Sequence, residues 1–351
     1  MPENAERIRV VIDTDAANEI DDQFAIAWAL RSPERLALEA VLAAPFSHGR
    51  YFRSLADACA ARGHATSDFD RIACGLSDAR MEALLESSPP ARGMQRSFEE
   101  IGAVFEAAGV DPRGRICRGA VDFLPSPSEP VESEAAERLI ALSQSASPES
   151  PLYVAAIGAP TNVASALLID PGIAERLVVL FVAGYPSGAG LDDDSFNLVQ
   201  DRFASNVLFE SGVPLVYLPG YQVAETIQLS LPAAERWLAS DDSLAAFLLD
   251  RYRHNPINPS VEGAGRSWVL WDVITIAWLS NRDWVPTREV PRMRVDRRHR
   301  FASPRGAGGL MREAYRVKRD DVLADLFARV ASPTSAAAAD SDDAAPARGG
   351  S

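Results

Sequence analysis

Five carboxylates occupy ten consecutive positions near the start of the chain: Asp13, Asp15, Glu19, Asp21 and Asp22. The β-branched run over residues 10–12 predicts a strand before them, and the apolar pattern from Gln23 predicts a helix that ends before Ser32. Asp13 and Asp15 therefore leave the carboxyl end of a strand, while Asp21 and Asp22 lie at the start of a helix. We expect these four side chains to converge on one small volume, which is unfavourable unless another group offsets their charge.

Two features can offset that charge. A helix N-terminus stabilises an anion by about 0.3–1 kcal/mol, and an N-capping Asp contributes about 1 kcal/mol, which accounts for one or two carboxylates. In the simplest alternative, Asp21 caps the helix, Asp13 is buried and accepts hydrogen bonds from backbone amides, and Asp15 and Glu19 face solvent. The crowding favours instead a divalent cation that prefers oxygen ligands, at the sheet edge where α/β folds place their sites.

A further carboxylate, Asp272, stands in the apolar segment 267–279. Burying an unpaired carboxylate costs several kcal/mol or forces it to become neutral. Asp272 therefore needs a partner, and the acidic loop at Asp15 and Asp22 provides one only through a cation.

The elements that position these residues alternate between apolar strand patterns and helix patterns. This alternation predicts an α/β fold with an open, mostly parallel, Rossmann-like sheet covered by helices on both faces. Further strands are predicted over 36–44, 152–157, 177–182 and 213–218. A capping box at Ser97 predicts a helix start there.

We expect a single domain over residues 1–331, followed by a disordered tail over 332–351 that lacks apolar periodicity. Residues 50–97 are expected to form an insertion.

Composition excludes several classes of function. A net charge of −14 argues against nucleic acid and against an anionic membrane as partners. Lys318 is the only lysine, which excludes a phosphate loop of the Gly-Lys-Ser/Thr type.

Cys59, Cys74 and Cys117 form no Cys-x-x-Cys pair and are expected to be unpaired thiols in a reducing compartment. The first nine residues carry no apolar signal core, and no run of about eighteen apolar residues occurs, so we expect a cytoplasmic protein.

The acidic stretch resembles the signature Asp-x-Asp-Pro-Gly-x-Asp-Asp of the inosine-uridine-preferring nucleoside hydrolases, which builds a calcium site after the first strand. Here the spacer between Asp15 and Asp21 is Ala-Ala-Asn-Glu-Ile, two residues longer and without Pro-Gly. Residues 158–164 are similar to the family's Gly-x-x-Thr-Asn-x-Ala segment. Residues 195–201 resemble its Glu-Phe-Asn-x-x-x-Asp segment, with serine in place of the glutamate. The motifs occur in family order, which is more specific than any one of them, although the departures mark a divergent member.

The resemblance implies Ca²⁺-dependent hydrolysis of the N-glycosidic bond of ribonucleosides by a metal-activated water, giving ribose and free base. It implies four Ca²⁺ ligands: Asp15, Asp22, Asp272 and the main-chain oxygen of Ile157. Asp15 is also the candidate general base, and Asp13 would orient the loop. The candidate contacts to the nucleoside are Asp21, Asn197, Ser47, His48, Asp194 and Trp271.

The implied site departs from the family on the side of the leaving base. In purine-preferring members a histidine precedes the last metal-binding Asp, whereas this chain has Trp271, whose indole can stack on a base. Tyr252 and His254 are candidate proton donors, and the alternative is that both are surface residues. The resemblance further suggests a homodimer or homotetramer.

Three other functions remain open. The substrate can be another N-riboside, such as nicotinamide riboside, or the protein can be a non-catalytic relative that binds metal or sugar. A haloacid-dehalogenase-like phosphatase also begins with strand-Asp-x-Asp. Its signature requires Thr or Val where Ala17 stands, and a downstream lysine that only Lys318 can supply.

Overall fold

The computed structural model describes residues 7–255, 267–304 and 308–331. Its centre is an eight-stranded sheet. In chain order the eight strands are β1 (Ile8–Thr14), β2 (Leu36–Ala43), β3 (Ile116–Arg118), β4 (Leu152–Ala156), β5 (Leu177–Ala183), β6 (Leu215–Pro219), β9 (Thr287–Pro291) and β12 (Leu310–Ala314). Their spatial order is β3-β2-β1-β4-β5-β6-β12-β9, and all neighbours are parallel except β9, which runs antiparallel to β12 at the edge. The predicted α/β fold with a mostly parallel sheet is confirmed.

Two short antiparallel pairs lie outside this sheet. The first joins β7 (Gln228–Ser230) to β8 (Ser267–Val269), and the second joins β10 (Arg294–Val295) to β11 (Phe301–Ala302). The first pair matters for function because β8 leads directly to Trp271 and Asp272.

Helices cover both faces of the sheet. Those in the described residues are α1 (Asp21–Leu30), α2 (His48–Arg62), α3 (Asp68–Gly75), α4 (Asp78–Ser87), α5 (Pro90–Ala107), α6 (Glu134–Ser143), α7 (Thr161–Ile169), α8 (Phe196–Val199), α9 (Arg202–Glu210), α10 (Leu231–Trp237), α11 (Ser243–Arg253), α12 (Val273–Ser280) and α13 (Arg319–Val330). None of them is both long and apolar enough to cross a membrane.

The two faces of the sheet form two separate hydrophobic cores. Side chains alternate along β1, so Val10 and Ile12 join the core beneath α1, α12 and α13, whereas Val11 joins the core beneath α7 and α9. The central strands β4, β5 and β6 are covered on both faces, and their sequences are therefore nearly continuous in apolar residues.

The order of the strands reverses at β1, which pairs with β2 on one side and with β4 on the other. The connections that follow β1 and β4 leave toward opposite faces, which opens a crevice at the carboxyl ends of these two strands. Asp13 lies at this point, with Leu42 and Ala156 as its neighbours in the sheet.

The helix predicted to begin at Ser97 begins instead at Pro90, so that expectation is wrong. Proline is favoured at the first helical position, which is where Pro90 lies. Ser97 is buried inside α5, and its hydroxyl donates to the carbonyl oxygens of Ala44 and Gly93. Residues 90–96 are therefore the first two turns of α5, and Ser97 lies inside the helix where it contacts the end of β2. The limits of the proposed insertion stay a prediction, and the proposed tail over 332–351 lies outside the described residues.

The expectation of three unpaired thiols is wrong for two of them. Cys59 on α2 and Cys74 on α3 are joined in a disulfide, while Cys117 is free and buried. The packing of α2 against α3 brings together two positions that are 15 residues apart in the sequence.

Candidate active site and metal centre

Four buried aspartates meet at the carboxyl end of β1. Asp15 comes from the β1–α1 connection, Asp21 and Asp22 are the first two residues of α1, and Asp272 precedes α12. Each is at most 3% exposed. One carboxylate oxygen from each of Asp21, Asp22 and Asp272 lies within 4.8 Å of the others. This spacing suits a shared cation, because the oxygens can all approach one ion without large movements.

Hydrogen bonds within the cluster fix two of its members. The amide nitrogen of Asp272 donates to Oδ2 of Asp21 at 3.2 Å, and the hydroxyl of Thr14 donates to Oδ1 of Asp22. The residue that precedes α1 is Ile20, which makes no side-chain capping bond, so Asp21 is the first residue of the helix and not its cap. Helix capping does not explain the cluster.

The electrostatics of the cluster are unfavourable for the protein alone. Burial raises the pKa of Asp21 to about 6, and it raises the pKa values of Asp15, Asp22 and Asp272 well above the ordinary value. Repulsion between these carboxylates is the next cause for Asp15, Asp22 and Asp272. Oδ2 of Asp15 is buried without a hydrogen-bond partner among the described residues. An orphaned oxygen in an all-oxygen donor set is what a hard cation such as Ca²⁺ would satisfy.

The closest group of oxygens differs from the ligand set expected from the sequence. It contains Asp21 together with Asp22 and Asp272, whereas Asp15 lies outside the 4.8 Å group. Asp15 adjoins the group, since the charge of Asp22 is the second cause of its raised pKa. The carbonyl oxygen of Ile157 accepts a hydrogen bond from Nδ2 of Asn197 at 2.9 Å.

Asp13 lies beneath the cluster and is held by a residue to which the sequence analysis gave no role. Nδ2 of Asn162 donates to Oδ1 of Asp13 at 2.8 Å and to the carbonyl oxygen of Ala43 at 3.2 Å. Oδ1 of Asn162 accepts a hydrogen bond of 2.8 Å from the amide nitrogen of Ala120. Burial raises the pKa of Asp13 to about 7. The Thr-Asn pair at the start of α7 was the available signal for this network.

A cavity of about 330 Å³ opens beside the aspartates, and it is largely aromatic. The residues that line it are Glu19, His48, Tyr51, Phe52, Phe69, Val182, Ala183, Gly184, Ser195, Phe196, Asn197, Gly220, Tyr221, Trp268 and Trp271. Of the expected nucleoside contacts, His48, Asn197 and Trp271 line the cavity. The sequence analysis did not identify Tyr51, Phe196, Tyr221 or Trp268, because single aromatic residues give no local signal of a shared pocket.

His48 and Trp271 are both held by aromatic neighbours. The ring of His48 lies 5.9 Å from that of Phe46 and 5.6 Å from that of Phe196, and burial lowers its pKa. The ring of Trp271 meets that of Tyr221 edge to face at 5.8 Å. These rings form apolar walls on which a planar base can stack.

Two further expected contacts, Ser47 and Asp194, support the cavity without lining it. The hydroxyl of Ser47 caps α2 by accepting the amide of Arg50 at 3.0 Å. The main-chain oxygen of Asp194 accepts the hydroxyl of Tyr51 at 2.9 Å. The sequence analysis did not single out the neighbouring Asp193. Its two carboxylate oxygens accept hydrogen bonds from the backbone amides of Tyr185 and Ser195, which fixes the loop between β5 and α8.

The two candidate proton donors, Tyr252 and His254, do not line the cavity. Tyr252 is fully buried, and its hydroxyl donates to the carbonyl oxygen of Leu229. His254 is exposed at the end of α11, where Nδ1 lies 3.1 Å from Oδ1 of Asp250.

Known proteins resemble this chain in sequence and in fold. The pyrimidine-specific ribonucleoside hydrolase of Citrobacter koseri is 31% identical over 173 residues, which are 47% of this chain and 54% of that protein. The aligned part of the chain thus spans about half the length of the curated relatives it matches.

Among solved structures, a plant nucleoside hydrolase has a TM-score of 0.65 at 16% identity, over 93% of this chain and all of that one. The purine-preferring ribonucleoside hydrolase of Gardnerella vaginalis has a TM-score of 0.58 at 18% identity, over 92% of this chain and 98% of that one. These two likenesses show a common fold. The family described as inosine-uridine preferring nucleoside hydrolase matches residues 10–319, which is most of the chain, and the protein therefore belongs to that family.

Proposed function

We propose that this protein hydrolyses the N-glycosidic bond of ribonucleosides, giving ribose and free base, with a Ca²⁺ ion held by the aspartate cluster. The observation that carries the proposal is the group of buried carboxylates beside an aromatic cavity. No arginine, lysine or histidine in the described residues forms an ion pair with Asp15, Asp21, Asp22 or Asp272. Such a group is unfavourable in the protein alone and becomes favourable with a cation and a polar substrate.

The cation would be held by Asp15, Asp22, Asp272 and the main-chain oxygen of Ile157. When bound, it supplies Lewis-acid activation of water at neutral pH. Asp15 is the proposed general base, and the support for this role is that its Oδ2 atom is buried and has no partner in the described structure.

The sugar is proposed to bind through Asp21 and Asn197. Asp21 belongs to the closest group of carboxylates, so its role includes contact with the cation or with a sugar hydroxyl beside it. Asn197 lines the cavity, and its amide already faces the carbonyl oxygens of Ile157 and Val182. Asp13 contributes by holding the end of β1 through Asn162.

The leaving base is proposed to lie against the aromatic walls. Trp271 and His48 contact it, while Ser47 positions His48 at the start of α2 and Asp194 positions Tyr51. Tyr252 and His254 take no part in this proposal. By resemblance to the family we further propose a homodimer or homotetramer, which sedimentation equilibrium would test.

Ribose release by the purified full chain tests the function. The substrates are purine, pyrimidine and nicotinamide ribosides together with p-nitrophenyl riboside, each assayed with Ca²⁺ and after chelation. We expect release that requires Ca²⁺ and that Asp15→Asn abolishes. The control variant Asp283→Asn changes an exposed aspartate and should retain full activity.

The other outcomes identify the alternatives. Turnover restricted to nicotinamide riboside would move the substrate class to that N-riboside. Binding of Ca²⁺ and ribose without turnover of any riboside would overturn the hydrolase and indicate a binding protein. The phosphatase alternative has no support, because the chain belongs to a different family and Lys318 is exposed at the start of α13.

A further inference from the structure

Helix α3 carries part of the cavity wall but has little apolar packing of its own. Its residue Phe69 lines the cavity of about 330 Å³ and is 44% exposed. Among the eight residues of α3, only Asp70 and Ala73 are buried. A helix of this length is unstable by itself in water and depends on tertiary contacts. Because α3 buries so little apolar surface, its position depends on the polar and covalent contacts that hold it.

Two contacts attach α3 to α2. The first is the disulfide between Cys59 and Cys74. The second is an ion pair between Oδ2 of Asp70 and Nη2 of Arg62, the last residue of α2. Both of these side chains are at most 2% exposed, so the loss of either partner would leave an uncompensated buried charge. Asp70 follows Phe69 in the sequence, and the ion pair therefore fixes the part of α3 that reaches the cavity.

The guanidinium of Arg62 also reaches the loop between β5 and α8. Its Nε atom lies 3.2 Å from Oδ2 of Asp192, whose side chain is 6% exposed. Arg300 forms a second ion pair with Asp192, and the backbones of these two residues form an isolated β-bridge. Nη1 of Arg62 donates to the carbonyl oxygen of Arg298 at 3.1 Å. One buried guanidinium therefore contacts α3, this loop and the turn between β10 and β11.

The residues that follow Asp192 carry this position into the cavity. Ser195, three residues later, lines the cavity. The main-chain oxygen of Asp194 accepts a hydrogen bond of 2.9 Å from the hydroxyl of Tyr51, a cavity residue near the start of α2. Helix α2 therefore holds the loop at two points, through Tyr51 near its start and through Arg62 at its end.

We propose that Arg62 is a positioning residue that joins two parts of the cavity wall. It holds Phe69 through Asp70 on α3. It holds Ser195 through Asp192 in the loop between β5 and α8. This inference rests on the proposed function and adds a residue that acts from outside the cavity, because Arg62 is not among the residues that line it. Its carboxylate partners lie outside the aspartate cluster at the end of β1, so we expect it to affect the binding of the nucleoside and not the cleavage step.

Steady-state kinetics of Arg62→Gln test this role, with a riboside that the unaltered protein cleaves and with saturating Ca²⁺. The change removes both ion pairs, and reductant is omitted so that the disulfide keeps α3 attached. We expect KM to rise about 10-fold while kcat changes less than about 2-fold, because only binding is weakened.

The matched control is Arg31→Gln. Arg31 forms an ion pair with Asp242 at 2.7 Å, both side chains are 7% exposed, and neither residue lines the cavity. This variant should lower the free energy of unfolding, as Arg62→Gln does, but leave KM unchanged.

Hydrogen–deuterium exchange shows which segment each contact holds, and it does not require turnover. Arg62→Gln should speed up amide exchange both in α3 and in the loop over 184–195. Asp70→Asn should do so in α3 only, and Asp192→Asn in the loop only. Arg62→Lys keeps the charge but lacks the planar fork that reaches two carboxylates, so it should release one segment and keep the other.

A KM that Arg62→Gln leaves unchanged would overturn the inference. A rise that Arg31→Gln matches would also overturn it, because lost stability alone would explain the rise. Faster exchange in only one segment of Arg62→Gln would show that the residue does not join the two. If Arg62→Gln does not fold, Arg62→Lys and Asp192→Asn are measured in its place and should raise KM. If no riboside is cleaved, the proposed hydrolase fails, and the exchange data still decide whether Arg62 joins the two segments.

Discussion

The amide nitrogen of Asp272 donates a hydrogen bond to Oδ2 of Asp21 at 3.2 Å, although the two residues are 251 positions apart in the sequence. This bond links the first turn of α1 to the residue that precedes α12, and these two helices share one hydrophobic core. The geometry of the carboxylates thus depends on the packing of two helices. A cation that binds the carboxylates should in turn stabilise that packing.

Addition of Ca²⁺ is expected to raise the melting temperature of the protein, and chelation should reverse the rise. A ligand that binds only the folded state stabilises it by about 2.7 kcal/mol at 100 times its dissociation constant. Asp15→Asn should lose most of this rise while the cation-free variant melts no lower than the cation-free parent, because one repelling charge is removed. Calorimetry with and without Ca²⁺ measures both effects. A rise that Asp15→Asn retains in full would exclude Asp15 as a ligand.

The stability of the cation-free protein is expected to fall as the pH rises from about 4 to about 8. Burial raises the pKa of Asp13 and Asp193 to about 7 and that of Asp21 and Asp201 to about 6. The folded state therefore binds more protons than the unfolded state in this range. The stability that this difference provides is complete below pH 3.8 and is lost as the pH passes through the raised pKa values.

Urea unfolding at a series of pH values after chelation measures this dependence. With Ca²⁺ present the fall should be smaller, because the cation favours the ionised carboxylates. A cation-free stability that is constant or increases between pH 4 and pH 8 would contradict the raised pKa values.

Gly158→Ala is expected to weaken Ca²⁺ binding more than it weakens the fold. A Cβ atom on Gly158 would lie 2.9 Å from the backbone nitrogen of Asp15 and 3.1 Å from its Cβ and Cγ atoms, so the acidic loop must move. The matched control is Gly102→Ala on α5, where nothing lies within 4 Å of the added atom. Titration calorimetry should show reduced affinity in Gly158→Ala alone. Equal affinities in the two variants would show that the loop tolerates the displacement.

Asn162→Ala is expected to reduce both stability and Ca²⁺ affinity. The change leaves Oδ1 of Asp13 and the amide of Ala120 without their partner, and each buried unsatisfied group costs about 1–3 kcal/mol. Asn206→Ala is the control, since Asn206 makes a similar pair of bonds to the backbone of Val295 far from the aspartates. It should lower the free energy of unfolding but leave Ca²⁺ affinity unchanged. A parallel loss of affinity in both variants would mean that Asn162 acts only on the fold.

The fold could be predicted from the sequence because its signals are local. Apolar runs of strand length alternate with helix patterns, and the acidic loop lies where β1 ends, as expected. The conformation inside that loop could not be predicted. Ala17 adopts a φ of 73°, which an alanine rarely does, and its carbonyl oxygen is held by Nη2 of Arg96 from α5.

The remaining parts of the site depend on contacts between distant segments. Trp268 on β8 and Glu19 in the acidic loop line the same cavity, and no pattern in either segment indicates this. The start of α5 was misplaced for a similar reason. Ser97 followed by Glu100 is a valid capping box in isolation, but Pro90 and the packing of the preceding two turns on the sheet extend the helix.

The strand order also bears on the synthesis of the protein. Asp13 to Asp22 leave the ribosome early, whereas Asp272 is made only after six of the eight central strands. A nascent chain can thus pair β1 with β2 and β4 before Asp272 has been synthesised. If the proposed cation requires Asp272, it would be loaded late, after most of the sheet has assembled.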